Sequence, residues 1–154
     1  MNLKAKLLQK IRVAQFLGKK KLLLLPFVLL YVSGLLLLSR VIRVNIHPVI
    51  NSRIGHFATN TELSVLKIKE RKILQGKREI NVFCGVSDAS CNISLEKMWS
   101  RNFNLQTGNW GWLLNDISKR FKSTDFYQDS TALDKERRLI DFPPSLNFSE
   151  TEIA

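Results

Sequence analysis

Three observations predict an α/β fold held behind one N-terminal membrane helix. An uncharged apolar run occupies residues 22–39. Residues 41–46 and 80–84 are rich in β-branched or alternating apolar side chains and predict two strands. Helical periodicity fills much of the rest, giving the order strand, helix, strand, helix, helix, which opens an α/β sheet. Two strands make no stable sheet alone, so the predicted unit is incomplete.

The apolar run has eighteen residues and no charge. At about 1.5 Å per residue it covers roughly 27 Å, close to the hydrocarbon thickness of about 30 Å. Arg40 can snorkel, which extends the anchor over residues 22–42. Pro26 falls in the first turns, where its missing donor costs least. A chain of 154 residues cannot surround an all-apolar helix on every side, which disfavours a buried soluble helix. A cleaved signal peptide is disfavoured too, since Arg40 and Val41 follow Ser39 in place of a small-x-small site. A membrane span is favoured; a monotopic helix lying in one leaflet is its rival.

The net charge of +11 is unevenly placed. Residues 1–43 carry nine Lys or Arg and no acid, and the remainder is nearly neutral. That excess fits anionic lipid headgroups. No stacking platform or reading helix accompanies it, so nucleic acid is not the expected partner. Residues 1–21 form a basic amphipathic segment, with Leu3, Leu7, Leu8 and Ile11 at helical spacing among Lys4, Lys6, Lys10 and Arg12. Seven basic residues precede the run, against Arg40, Arg43 and Arg53 after it, which favours a cytoplasmic N-terminus. For a single span, residues 43–154 would then lie outside the cytoplasm.

Residues 43–154 are the expected α/β lobe. After the first strand, residues 51–59 read as a loop. A helix over 60–73 follows, with Leu63, Leu66 and Ile73 near one face and Thr59, Asn60 or Thr61 as its cap. After the second strand, residues 85–92 are a loop of small polar residues. Helices are expected over 94–103 and 110–121, with residues 102–109 a loop between them. Residues 122–154 are polar and irregular, with Pro143-Pro144 enforcing an extended piece. Near the end, Ser149 with Glu152 begins like a capped helix, which suggests truncation.

Cys84 and Cys91 lack the companions that a disulfide framework or a zinc site needs. Trp99, Trp110 and Trp112 could stack on a sugar but fit a helical core better. Asp125, Asp129, Asp134 and Asp141 show no paired-carboxylate spacing. His47, before Pro48, reads as a strand-end residue.

One constellation suggests chemistry. Arg53-Ile54-Gly55-His56 follows the first strand, where open α/β sheets present their ligand crevice. Gly55 permits close backbone approach, His56 carries an imidazole that can take a proton from a hydroxyl and Arg53 can grip a phosphate or carboxylate. The helix N-terminus beyond adds donors. The bland alternative is a turn histidine with a satisfied ring.

The run from Arg53 to Leu63, with Asn60-Thr61-Glu62-Leu63 inside it, resembles the N-terminal motif of a bacterial family of glycosyltransferases linked to cell-surface polysaccharides. Ile80-Asn81-Val82-Phe83, the stretch from Leu95 to Arg101 and the stretch from Leu146 to Glu152 agree with it in order. Cys84-Gly85 stands where a polar pair is expected.

The resemblance implies a Rossmann-like first lobe of a two-lobed, GT-B-like glycosyltransferase that needs no metal or other cofactor. It implies His56 as catalytic base and Arg53, Gly55 and Asn60 as substrate-binding residues. Membrane lipids and a glycan acceptor are the expected partners. A nucleotide sugar would bind only with the second lobe present, so the chain alone is expected to be inactive. Nucleotide sugars are cytoplasmic, which places the lobe on the cytoplasmic face of the bacterial inner membrane and favours a monotopic or re-entrant anchor. The alternative from another class is a single-pass membrane protein with a non-catalytic, partner-binding domain.

Overall fold

The computed structural model describes residues 18–75, 78–122, 124–128 and 143–146. Most of the basic amphipathic segment, Asp129, Asp134, Asp141 and the Ser149 cap lie outside them.

Helix α1 (Gly18–Leu38) contains the apolar run, with Pro26 inside it. It is long and apolar enough to cross a membrane. Its end is closed by Ser39 N and Ile42 N donating to Leu35 O and Leu38 O at 2.9 and 3.0 Å. Strand β1 (Arg43–Val49) follows, then α2 (Ile54–Gln75), β2 (Glu79–Gly85), α3 (Ile93–Asn102), β3 (Leu105–Gln106), α4 (Gly108–Ser118) and a 3-10 turn, Lys119–Phe121.

The fold is mixed α/β with a small parallel sheet of order β1-β2-β3. β1 and β2 pair in parallel from Arg43↔Glu79 to Val49↔Gly85, and β3 joins β2 at Phe83↔Leu105 and Cys84↔Gln106. On the other side of β1, Ile46 forms a parallel bridge with Tyr127. There Ile46 N donates to Phe126 O at 2.7 Å and Gln128 N donates to Ile46 O at 2.9 Å. A single bridge thus sits on the side of β1 away from β2.

Alternation along the strands divides the core into two faces. Val44, Ile46, Val82 and Cys84 pack with Leu113 and Leu114 of α4 and with Val28, Val32 and Leu35 of α1. Val49 and Phe83 pack on the opposite face with Phe57 of α2 and Trp99 of α3. The layers are α1 with α4, then the sheet, then α2 with α3.

Helix α1 lies against this body. Val28, Val32 and Leu35, spaced i, i+4 and i+7, are 0, 2 and 8 % exposed. The Tyr31 ring meets Trp110 at a tilt, centroids 5.8 Å apart. The outer face stays bare: Leu23 is 74 % exposed, Phe27 61 %, Leu30 73 % and Leu37 65 %. A small chain cannot surround an apolar helix, but it can bury one stripe of it.

Several expectations need correction. β1 runs through His47 and Pro48 to Val49. Pro48 is tolerated because its nitrogen points away from β2, to the side where Ile46 meets Tyr127. Residues 54–59 are helical, so α2 starts six residues before the expected Asn60. Phe57 N donates to Arg53 O at 2.8 Å and the Phe57 ring is fully buried, which draws the first turn onto the sheet. Thr59, Asn60 and Thr61 are thus interior to the helix and cap nothing. The expected loop 102–109 contains β3, a two-residue strand too short for any periodicity to show. α3 is capped by Asn92, whose Oδ1 accepts from Leu95 N at 2.8 Å, two residues before the expected Ser94 start.

Candidate functional site at the carboxyl edge of the sheet

All three strands end at the edge where α2, α3 and α4 begin. Parallel strands followed by helices put every one of those helix N-termini on that edge, and their free N–H groups face whatever binds there. The first turns of α2 and α4 contain no acidic residue.

Two loops are tied together by Asn51, which is fully buried. Its Nδ2 donates to Ser87 O at 3.0 Å and Ala89 O at 3.4 Å, and its Oδ1 accepts from Ser87 N at 2.9 Å. Its carbonyl accepts from Cys91 N at 2.8 Å. A Cβ on Gly85 would sit 2.9 Å from Asn51 Nδ2. Glycine after Cys84, in place of a polar pair, is therefore required by this clamp. Gly111 is constrained as tightly, since a Cβ there would meet Gln106 O at 2.1 Å where β3 turns into α4. Gly108, at φ 64°, makes that turn possible.

The sequence-predicted residues stand on this scaffold. Arg53, Gly55 and His56 are exposed and Asn60 is half-buried. Because α2 begins at Ile54, Arg53, His56 and Asn60 fall at i, i+3 and i+7 and share one helical stripe. A loop would have scattered them. Gly55 has open space around it, with nothing within 4 Å of a built Cβ. No tight turn needs it. The His56 ring has no hydrogen bond to a described residue, so nothing there fixes its tautomer. The carbonyl of Asn60 accepts from Ser64 Oγ at 2.9 Å, leaving its side chain for other work.

Sequence reasoning missed a second polar cluster. His47, which the sequence predicts as a strand-end residue, is 4 % exposed beneath α2. Its Nε2 donates to Asn81 Oδ1 at 2.9 Å, and its ring stacks on Phe83 at 4.8 Å. Asn45 Nδ2 donates to Asn81 Oδ1 at 3.1 Å and Glu79 Oε2 at 3.3 Å, while Asn81 Nδ2 donates to Glu79 Oε1 at 3.0 Å. Burial, aided by the Arg71 charge, lowers the His47 pKa to about 4 against the opposing hydrogen bond to Asn81 and the Glu79 charge. The ring is neutral at pH 7. The cluster sits beside Phe83, the register partner of His47, on the same face as Val49. Nothing in the strand's own sequence signals the burial, which depends on α2 covering it.

The cysteines differ in setting. Cys84 is buried against His47 O, and burial pushes its thiol pKa up; Cys91 is exposed. Trp99 is core, while Trp110 and Trp112 pack against α1. Asp125 is exposed and lies 4.0 Å from Arg43. A cavity of about 550 Å³ beside Lys72, Arg78, Glu79 and Asn81 opens at the amino edge, away from Arg53 and His56.

Compared with protein families, with characterised proteins and with solved structures, this chain finds no match.

Proposed function

We propose that the chain is the membrane-held, acceptor-side lobe of a bacterial glycosyltransferase with a Rossmann-like sheet. One observation carries the reading: the parallel Ile46–Tyr127 bridge brings later chain to the side of β1 away from β2, as at a reversal of strand order, and Arg53, Gly55 and His56 directly follow β1. In open doubly wound sheets the ligand crevice lies outside the carboxyl ends at such a reversal.

In this reading His56 takes the proton from an acceptor hydroxyl as it attacks the anomeric carbon of a nucleotide sugar, and the anomeric C–O bond breaks to release the nucleoside phosphate. Arg53 holds a phosphate through its fork, and Asn60 bonds an acceptor hydroxyl on the same helical stripe. The nucleotide sits on a second lobe, and the chain faces the cytoplasm, where nucleotide sugars are made. No metal is needed, since Arg53 and the α2 N-terminus supply positive charge.

The test is amide hydrogen exchange on the membrane-reconstituted protein with short bacterial surface oligosaccharides. Glycan should protect amides 52–60, and Arg53→Ala with His56→Ala should abolish the protection. Protection elsewhere, or protection indifferent to both substitutions, rejects the reading. The unheld His56 ring favours a second one, a membrane protein whose carboxyl edge binds a partner without catalysis. It predicts no glycan effect at all.

A further inference from the structure

We propose that α1 is an in-plane, monotopic helix: its outer face lies in the acyl boundary of one leaflet of an anionic bilayer, and it does not cross. This deepens the membrane part of the proposed function and is independent of sugar transfer.

The helix has no free length with which to cross. Near its start, Lys21 Nζ lies 2.6 Å from Asp88 and 4.1 Å above the Trp112 ring. Through its middle, Val28, Val32 and Leu35 are sealed against α4 and the sheet. At its end, residues 39–42 turn directly into β1. Twenty-one residues at about 1.5 Å each give roughly 32 Å, against roughly 23 Å for seven-residue β1. The helix therefore runs the full height of the sheet, antiparallel to β1.

Standing it upright in a bilayer would carry the sheet with it. The edge of β2 that two-residue β3 leaves open among the described residues would enter hydrocarbon. Unpaired strand edges are not tolerated there. Lying flat removes the conflict, because only the outer face meets lipid. Leu23, Phe27, Leu30 and Leu37 form that face at i, i+4, i+7 and i+14, and Val41, 84 % exposed, continues it.

Charge selects the occupant. Lys20 and Arg40 are exposed at the two ends of the face, and residues 1–43 contain no acid. A second copy of the chain on this face would set like charges against each other in either direction. Anionic headgroups complement both ends.

The test uses the full chain with Cys91→Ser, which leaves only the buried Cys84 as native thiol, and single Lys20→Cys or Arg40→Cys. Membrane vesicles of both orientations are treated with a membrane-impermeant maleimide. Both positions should label in the same orientation and neither in the other. Labelling in opposite orientations establishes a span and overturns the proposal while leaving membrane association intact. In parallel, Phe27→Ser with Leu30→Ser should lower partitioning onto phosphatidylglycerol-containing vesicles by about a hundredfold with the unfolding transition unchanged. Loss of the fold in that variant would overturn the proposal, because those side chains would then be core. Wild-type protein that ignores anionic vesicles, or that dimerises through this face, overturns both the proposal and the membrane part of the proposed function. Glycan results do not bear on any of these outcomes.

Discussion

The side-chain nitrogen of Asn51 lies 2.9 Å from the point a Gly85 β-carbon would occupy. Contact that close displaces the amide and with it three hydrogen bonds that join the first two loops of the carboxyl edge. Gly85→Ala should therefore destabilise the fold by about 1–3 kcal/mol in urea unfolding. Asn51→Ala should cost a similar amount. The double variant should cost clearly less than the sum, because both changes break one clamp. Additive costs would show the two residues to be independent.

His47 predicts a loss of stability in mild acid. Its folded pKa is about 4, below its ordinary 6.5, so between those values the unfolded chain binds the extra proton. Stability is then full above about pH 6.5 and falls as pH drops towards 4, by up to about 3 kcal/mol. Urea midpoints at pH 7, 5.5 and 4 measure the slope, and His47→Gln should flatten it. His47→Ala is an unsuitable neutral control for an active-site experiment, since it hollows the core beside Asn81 and Phe83.

Lys21 and Asp88 predict a small, salt-sensitive effect. The hydrogen bond from Lys21 holds the Asp88 carboxyl below its ordinary range. The stabilisation is present above the ordinary carboxyl pKa and disappears as pH falls through the lowered one. The carboxylate is half exposed, so water and ions screen it. Asp88→Asn should cost under about 1 kcal/mol, less still in high salt. Tryptophan fluorescence should also shift as Lys21 loosens over Trp112.

His56 predicts the opposite profile to His47. It is exposed, so His56→Ala should leave stability within about 0.5 kcal/mol of wild type. Combined with a donor lobe, the same change should lower sugar transfer by about 10² to 10⁴ if His56 is the general base. Unchanged turnover would remove it from the chemistry.

Local pattern revealed some of this architecture and hid the rest for physical reasons. The apolar run, β2 and the apolar faces of α3 and α4 follow from periodicity that each segment carries itself. The start of α2 was hidden because Thr59, Asn60 and Thr61 imitate a cap, while the true first turn is set by Phe57 docking on strands distant in sequence. β3 is too short for alternation. Asn51 and His47 owe their roles to partners more than thirty residues away, Ser87 and Asn81, which no local pattern contains. The Arg53–His56 pair was legible as residue types after a strand. Its sharing of a stripe with Asn60 was not, because that depends on where the helix begins.

The docking of α1 changes what it means to make this protein soluble. Cutting before Arg43 would remove the exposed leucines of α1, but also Val28, Val32 and Leu35, which roof Val44, Ile46, Val82 and Cys84. Half the interior would then face water, and the shortened protein would aggregate for reasons unrelated to lipid. Keeping the helix and repainting only its outer stripe with polar side chains is the route to a tractable soluble form.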